Sequence, residues 1–436
     1  MQLKPGREVS SAALRQRLMA ASCALLSATG VRAQASDASP PFNGLLENLS
    51  VDSAVAYYHE DGRIQAVEPI VNVAKTFANG DALDVNFTFD SLSGSSPNGA
   101  LPSHSAQTFA SPSGKVGHSY TTAPGQLPVD PNYEDDRVAL SANWTTPVTR
   151  VTDVTVGAKV SGEDDFFSVT LSASLAHDFN DKNTTVSGGL YNEFDSLKPI
   201  GGAPAPGSDY ALADKTGNRT KDGVGILLGV TQVMTRNWLS EFNLSVDRFH
   251  GYLNDPYKFT SILDASGATT GYQYESRPDQ RLRKSAYWEN RVAWDSLSTA
   301  LSLRYMSDDW SVHSETAQLR VRWNLPGGQS YIEPTIRWYR QTAADFYMPW
   351  IVETEKLNSP YESSDSRLDA FHALTYGVKY AHKLGPLGPL ASSEFNVRVE
   401  YYQQKYQNPS TNLADLQGLD LYPELKAVLV QFGWRY

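Results

Sequence analysis

The chain contains a single cysteine, Cys23, and it lies close to the N-terminus. The rest of the sequence therefore has no disulfide, no thiol nucleophile and no Cys-x-x-Cys-His haem attachment site. Long apolar runs are missing as well. After the first apolar stretch no segment is long enough to cross a bilayer as a helix. Basic clusters are absent and the formal net charge is −11, which argues against a nucleic-acid partner. The eight histidines show no His-x-x-x-His or His-Glu-x-x-His spacing. There is no Gly-x-Ser-x-Gly elbow and no phosphate loop. Nothing in the motifs asks for a cofactor or a resident metal, and no enzymatic activity is expected.

What is present begins with an N-terminal signal pattern. Lys4, Arg7, Arg15 and Arg17 precede an apolar stretch from Leu18 to Val31. Val31-Arg32-Ala33 offers a small-residue cleavage site before Gln34. Residues 1–33 are expected to be a cleaved signal peptide. Ala20 stands where a lipoprotein signal prefers a larger aliphatic residue, so lipidation of Cys23 is not expected. Cleavage would remove Cys23 and more bases than acids, leaving the mature chain more acidic still. A short periplasmic segment, 34–48, would then lead into the main domain, 49–436.

The last residues carry the most specific signal. Val428, Val430, Phe432, Trp434 and Tyr436 alternate with Leu429, Gln431, Gly433 and Arg435. Alternate residues of a strand point to opposite faces. One face here is apolar and becomes aromatic toward the end, as in a transmembrane barrel strand with an interfacial girdle. Phe432, Trp434 and Tyr436 resemble the C-terminal assembly signal of bacterial outer-membrane barrels. That implies the barrel-assembly machinery as a partner, with outer-membrane lipid and lipopolysaccharide as surroundings.

Period-2 alternation continues through the chain and predicts sixteen strands. They fall near 49–59, 63–77, 81–91, 135–146, 150–161, 165–178, 183–195, 221–235, 237–250, 281–296, 298–307, 312–324, 329–342, 369–384, 392–405 and 425–436. Connections after even-numbered strands are short, with Asn79-Gly80, Thr146-Pro147, Asn180-Asp181 and Pro326-Gly327 marking four of them. The long connections, 92–134, 196–220, 251–280, 343–368 and 406–424, all follow odd-numbered strands. A β-sandwich has no reason to place every long loop at one end, whereas outer-membrane barrels do. The predicted fold is an all-β, antiparallel, up-and-down transmembrane barrel with periplasmic turns and extracellular loops. Sixteen strands enclose a lumen wide enough for water. Residues 34–48 are long enough to reach into it but too short for a plug domain.

Alternation also assigns faces. Leu83, Val85, Phe87 and Phe89 should face lipid, with Asp84, Asn86, Thr88 and Asp90 inward. Val138, Leu140 and Trp144 should face lipid, with Arg137, Ser141 and Asn143 inward. Strand 2 is ambiguous because Pro69 removes a ladder donor. In the second half of the chain, Arg281, Arg283, Glu289, Arg291, Arg304 and Arg320 should line the lumen. Arg322, Glu333, Arg337, Lys379, Arg398 and Glu400 should continue that stripe. It reads as an anion-preferring wall or carboxylate clamp, or as an Arg–Glu ladder that braces the wall. Lys284 and Asn290 fall on the lipid face, where a subunit seam would place polar groups. The acidic runs Asp135-Asp136, Glu163-Asp164-Asp165 and Asp308-Asp309 fall at the external ends and read as a solvated rim rather than a cation site.

Four local strings carry a further resemblance. They are Asp90 to Ala100, Glu134 to Arg137, Gly251 to Lys258 and Arg277 to Arg283. In order and spacing they resemble the bacterial family named domain of unknown function 3570. The resemblance implies an outer-membrane barrel without an established activity, and it brings no functional residues. Its members are often encoded near flavin-transfer and thioredoxin-like proteins, which implies a possible surface redox partner. Two functions stay open: a porin-like passive channel for small solutes, or a non-conducting scaffold for a surface or electron-transfer assembly. Asp135, Asp136, Arg137, Arg281 and Arg283 are expected to pair across the external mouth and pin the loops inward.

Overall fold

The computed structural model describes residues 48–111, 119–354, 359–387, 390–407 and 411–436. The expected signal peptide and nearly all of the N-terminal segment lie outside these residues. The chain runs β1 (Leu49–Glu60), β2 (Gln65–Thr76), β3 (Ala82–Ser93), β4 (Gln107–Ala110), β5 (Ser119–Thr122), β6 (Glu134–Thr149) and β7 (Thr152–Gly162). It continues with β8 (Phe166–Phe179), β9 (Thr184–Leu197), β10 (Arg219–Thr235), β11 (Trp238–Gly251), β12 (Phe259–Leu263), β13 (Thr269–Tyr274) and β14 (Gln280–Ala293). It ends with β15 (Leu297–Asp308), β16 (His313–Asn324), β17 (Ser330–Gln341), β18 (Trp350–Val352), β19 (Phe371–Leu387), β20 (Leu390–Tyr406) and β21 (Leu425–Arg435). All except β4, β5, β12, β13 and β18 join in one closed barrel of sequential antiparallel pairs. Its sixteen strands are those that alternation predicts.

Closure comes from β21 pairing with β1, with Asp52 opposite Arg435. The terminal residue takes part: Val51 and Tyr436 exchange backbone hydrogen bonds of 2.8 and 3.0 Å. Phe432 and Trp434 stand on the outer surface of this closing strand. Around the barrel the outward positions are apolar, among them Phe87, Leu140, Leu171, Leu190, Ile226 and Leu244. No water-facing sheet would expose so continuous an apolar belt. Outward tryptophans satisfy their N–H groups on neighbouring side chains. Trp238 donates to Asn290 at 2.8 Å and Trp288 to Ser240 at 3.0 Å. Asn290 is thus a partner of the aromatic girdle.

Pro69 sits inside β2 opposite Val55. Pairing with β3 is interrupted at Glu68 and Pro69 and resumes in the same register at Ile70↔Thr88. The missing donor costs two pairing positions and leaves the strand intact. Thr146-Pro147, expected as a turn, lies inside β6. The strand continues to Thr149 through a register shift after Pro147, because a bulge needs no ladder hydrogen from the proline. The turns at Asn180-Asp181 and Pro326-Gly327 form where expected, with left-handed φ of 50° at Asn180 and 93° at Gly327.

The long connections contain ordered structure that alternation did not predict. β4 and β5 form a hairpin, and β13, β12 and β18 form a separate three-stranded sheet. Both belong to the long-loop end.

Candidate functional site

Cross-strand partners point to the same face, so the register places every residue of the expected stripe on the inner wall. Arg281, Arg283, Glu289 and Arg291 share one face of β14 and pair with inward positions of β11 and β15. Arg304 faces Thr316, Arg320 faces Ala300, and Arg322 faces Ser298. Arg337 and Glu333 lie opposite Thr375 and Lys379. Arg398 and Glu400 complete the set on β20.

The stripe is only partly a ladder. Glu289 is shared by Arg291 and, at 3.3 Å, by Arg320, and it accepts the Tyr287 hydroxyl at 2.7 Å. Arg398 meets Glu400 at 3.2 Å. Arg322 lies 3.6 Å from the centre of the Tyr331 ring, a cation–π contact, with Lys379 at 5.7 Å from the same ring. These groups sit toward the short-turn end and keep contact with water: the Arg291 side chain is 49% exposed.

The opposite arc of the wall has the other sign, which sequence reasoning left unassembled. Asp84, Asp90, Asp153, Asp178, Glu193 and Asp195 share the inner register of β3, β7, β8 and β9. Glu241 and Asp247 continue it on β11. Toward the long-loop end Asp90 pairs with Arg137, Asp195 with Lys221 at 2.7 Å and Asp247 with Arg283, but several other contacts are to neutral donors. Asn72 donates to Asp84 at 3.0 Å, Asn243 to Glu241 at 2.8 Å and Tyr191 to Asp247 at 2.8 Å. Asp84 and Asp90 already read as inward. Carrying the same alternation through β7, β8 and β9 was the signal that would have shown the arc.

At the long-loop end the connections fold into one cap. The loop after β3 meets the loop after β11: Phe259 N–H donates to Asn98 O at 3.1 Å, and Leu101 N–H to Ser261 Oγ at 3.0 Å. The loop after β17 joins them, with Ser364 Oγ 3.0 Å from both Gly99 O and Phe259 O. β3 and β11 are far apart round the circle, so these contacts carry the loops across the mouth. Gly99 has φ of +101°, and a Cβ there would lie 2.4 Å from Phe259 O. The cap has its own core, in which Phe109 packs 5.1 Å from Phe259 between Tyr120, Tyr272 and Tyr210. A cavity of about 40 Å³ remains between the loops beside Arg63, Leu101, Tyr347 and Tyr422, room for water only.

Charge also holds the cap together. Arg277 donates to Glu275 and Asp365, each at 2.8 Å. Arg367 bonds Asp365 and Asp255, tying the loop after β17 to the loop after β11. Burial would raise the Asp255 carboxyl, but Arg367 and Lys258 beside it bring it below the ordinary value. Thr260 donates to Glu362 at 2.6 Å, yet burial pushes the Glu362 carboxyl up to about 7. Burial likewise raises Asp369 to about 6.

The expected pairing across the mouth is corrected in detail. Arg137 pairs with Asp90 on the adjacent strand, Arg281 with Asp308, and Arg283 with Asp247 at 3.8 Å. Neighbouring strands offer these arginines a carboxylate closer than the far rim does. Asp136 is exposed on the outer face, because its parity in β6 is that of Val138. The pins are Asp255, Arg277, Asp365 and Arg367 instead. The rim acids are structural too. Asp308 accepts the N–H groups of Trp310 and Val312 at 3.0 and 2.8 Å, and Asp309 accepts that of Leu282 at 2.9 Å. Among the described residues no cluster of His, Cys, Asp and Glu is arranged to hold a metal ion.

A closed sixteen-strand antiparallel barrel with an apolar exterior and a charged interior is a barrel of the outer-membrane type. The chain belongs to the family described as protein of unknown function (DUF3570), whose profile matches residues 15–436. The four strings that carried the resemblance meet in the cap and its rim. No curated protein matches the sequence. Among solved structures, the chain is similar to the ferric enterobactin receptor PfeA in complex with BCV-L6, at 9% identity and TM-score 0.42, covering 88% of this chain and 60% of that one. It spans only that share of the receptor's length. It is also similar to a bacterial polysaccharide outer membrane secretin, at 8% identity and TM-score 0.42, covering 90% and 99% of the two chains. OccK2 (OpdF) of Pseudomonas aeruginosa is similar at 10% identity and TM-score 0.38, covering 89% and 97%.

Proposed function

We propose that this chain is a passive pore for small solutes in the outer membrane of a Gram-negative cell, with its turns in the periplasm and its cap outside. The observation that carries this reading is the water-exposed charge of the inner wall, above all Arg291 and Arg320 around Glu289. A barrel of this strand number is too wide to be filled by its own wall side chains. A solid scaffold has no use for cations kept in water along its interior. The cap narrows the outer mouth and sets the size limit. No part of this mechanism uses a bound cofactor or covalent chemistry.

A second reading rests on the same cap. Loops tied across the mouth by buried charge and an aromatic core also suit a non-conducting barrel that offers a rigid outer platform to a surface or redox partner. Single-channel currents of the refolded mature chain in a planar bilayer separate the two. A pore gives stable open steps. Insertion without conductance favours the platform.

A further inference from the structure

The basic stripe faces its electrostatic opposite. Near the short-turn end, Asp84, Asp153, Asp178 and Glu241 line β3, β7, β8 and β11. At the same end, Arg291, Arg320, Arg322, Lys379 and Arg398 line β14, β16, β19 and β20. In the closed order these four carboxylates stand on strands before β14 and these five cations on strands after β11. The inward bases of the acidic arc, Arg137, Lys159 and Lys221, lie farther from this end. The two signs therefore occupy separate arcs. β8 and β19 stand half a circuit apart, which sets Asp178 across the lumen from Lys379.

Local pairing leaves both arcs charged. On the acidic side the donors to Asp84, Asp178 and Glu241 are Asn72, Thr185 and Asn243. Asp178 has Lys182 of the turn at 3.5 Å, and Glu241, at the boundary of the arc, has Arg291 on the neighbouring strand. On the basic side two arginines share Glu289, and Arg322 rests on Tyr331. Glu289, Glu333, Glu394 and Glu400 temper this arc, and Arg304 and Arg337 higher on the same wall keep it basic. Opposed charge on low-dielectric walls produces a field across the lumen. Such a field gives little net preference for anions or cations, because each ion drawn to one wall is repelled by the other. A solute carrying both signs gains from both walls once it turns its carboxylate to the guanidinium arc and its ammonium to the carboxylates.

Resting on the pore reading, we infer that the lumen selects small zwitterions of amino-acid type. The test is tracer entry into proteoliposomes for three solutes of one size: alanine, lactate and lactamide. Alanine is expected to enter roughly tenfold faster than lactate or lactamide, within the range of electrostatic steering. The double variant Asp84→Asn/Asp178→Asn should lose that preference and favour lactate. Arg291→Gln/Arg320→Gln should lose it and exclude lactate. Unchanged lactamide entry in each variant confirms an intact pore. Equal entry of alanine and lactate in the native chain, or an alanine preference that survives the acidic substitutions, would overturn the inference and leave the pore standing. No entry of any solute would overturn the pore reading and this inference with it.

Discussion

Arg277 and Arg291 are both arginines bonded to a glutamate two residues away, and they do different work. The Arg277 side chain is 10% exposed and its partner Glu275 is buried in the cap. Arg291 is 49% exposed on the lumen wall, beside Glu289. The arginine is buried in a weld at one end of the barrel and screened by water at the other, where the buried Glu289 also keeps Arg320 and Tyr287 as partners. Removing one member of a buried pair strands its partner's charge, at a cost of about 3–5 kcal/mol. Removing an exposed member costs about 0–1 kcal/mol. Solvent access, more than pairing, separates the structural charges from those free to act on a solute.

The largest effect is therefore expected at the weld. Arg277→Ala should loosen the cap by about 3–5 kcal/mol and leave the barrel closed. Limited proteolysis should then cut within 252–279 and 342–370 while the β-sheet circular dichroism stays native. Protection equal to the native chain would erase the difference between the two ends. Next comes Gly99→Ala, where left-handed φ and the nearby Phe259 carbonyl both oppose a side chain. Hydrogen exchange at Phe259 should quicken, reporting a local loss of about 1–3 kcal/mol.

A smaller effect is pH-dependent. The Glu362 carboxyl is raised by burial to about 7, so the folded cap holds a proton that the unfolded loop gives up at lower pH. That stability is fully present below the unfolded value and is lost as pH rises through about 7. Cap protection should fall between pH 4.5 and 7. Asp369 acts with the same sign, so Glu362→Gln should flatten part of the slope and not all of it. A slope unchanged in that variant would remove Glu362 from the account. The smallest effect on stability belongs to Arg291→Ala, within about 1 kcal/mol, although reversal potentials in asymmetric KCl should move toward cation preference. A large loss of stability there would make the lumen charge a brace after all.

The barrel was legible in the sequence because a period of two is a backbone property. Phe87 beside Thr88 and Trp323 beside Arg322 declare their faces without any tertiary knowledge. The stripe on β14 to β20 was legible for the same reason. The cap was not. Phe259–Leu263 and Thr269–Tyr274 are short strands inside a long connection, and their pairing with Trp350–Val352 depends on chain brought from elsewhere. Asp255 and Arg367 are likewise distant in sequence, and nothing local says that they meet. The acidic arc lay between these cases: its alternation was visible, but its meaning required the circle to be closed and the two halves to face each other.

The most direct measurement compares one substitution at the two ends. The mature chain expected after signal cleavage has no cysteine of its own. Ser298→Cys and Ser314→Cys then place single thiols on the inner wall of neighbouring strands, half-buried at the short-turn end and buried beneath the cap. A small charged maleimide should label position 298 rapidly and position 314 slowly, and loosening the cap with Arg277→Ala should speed only the second. Equal slow labelling of both would mean that water does not fill the lumen, and the pore would be contradicted.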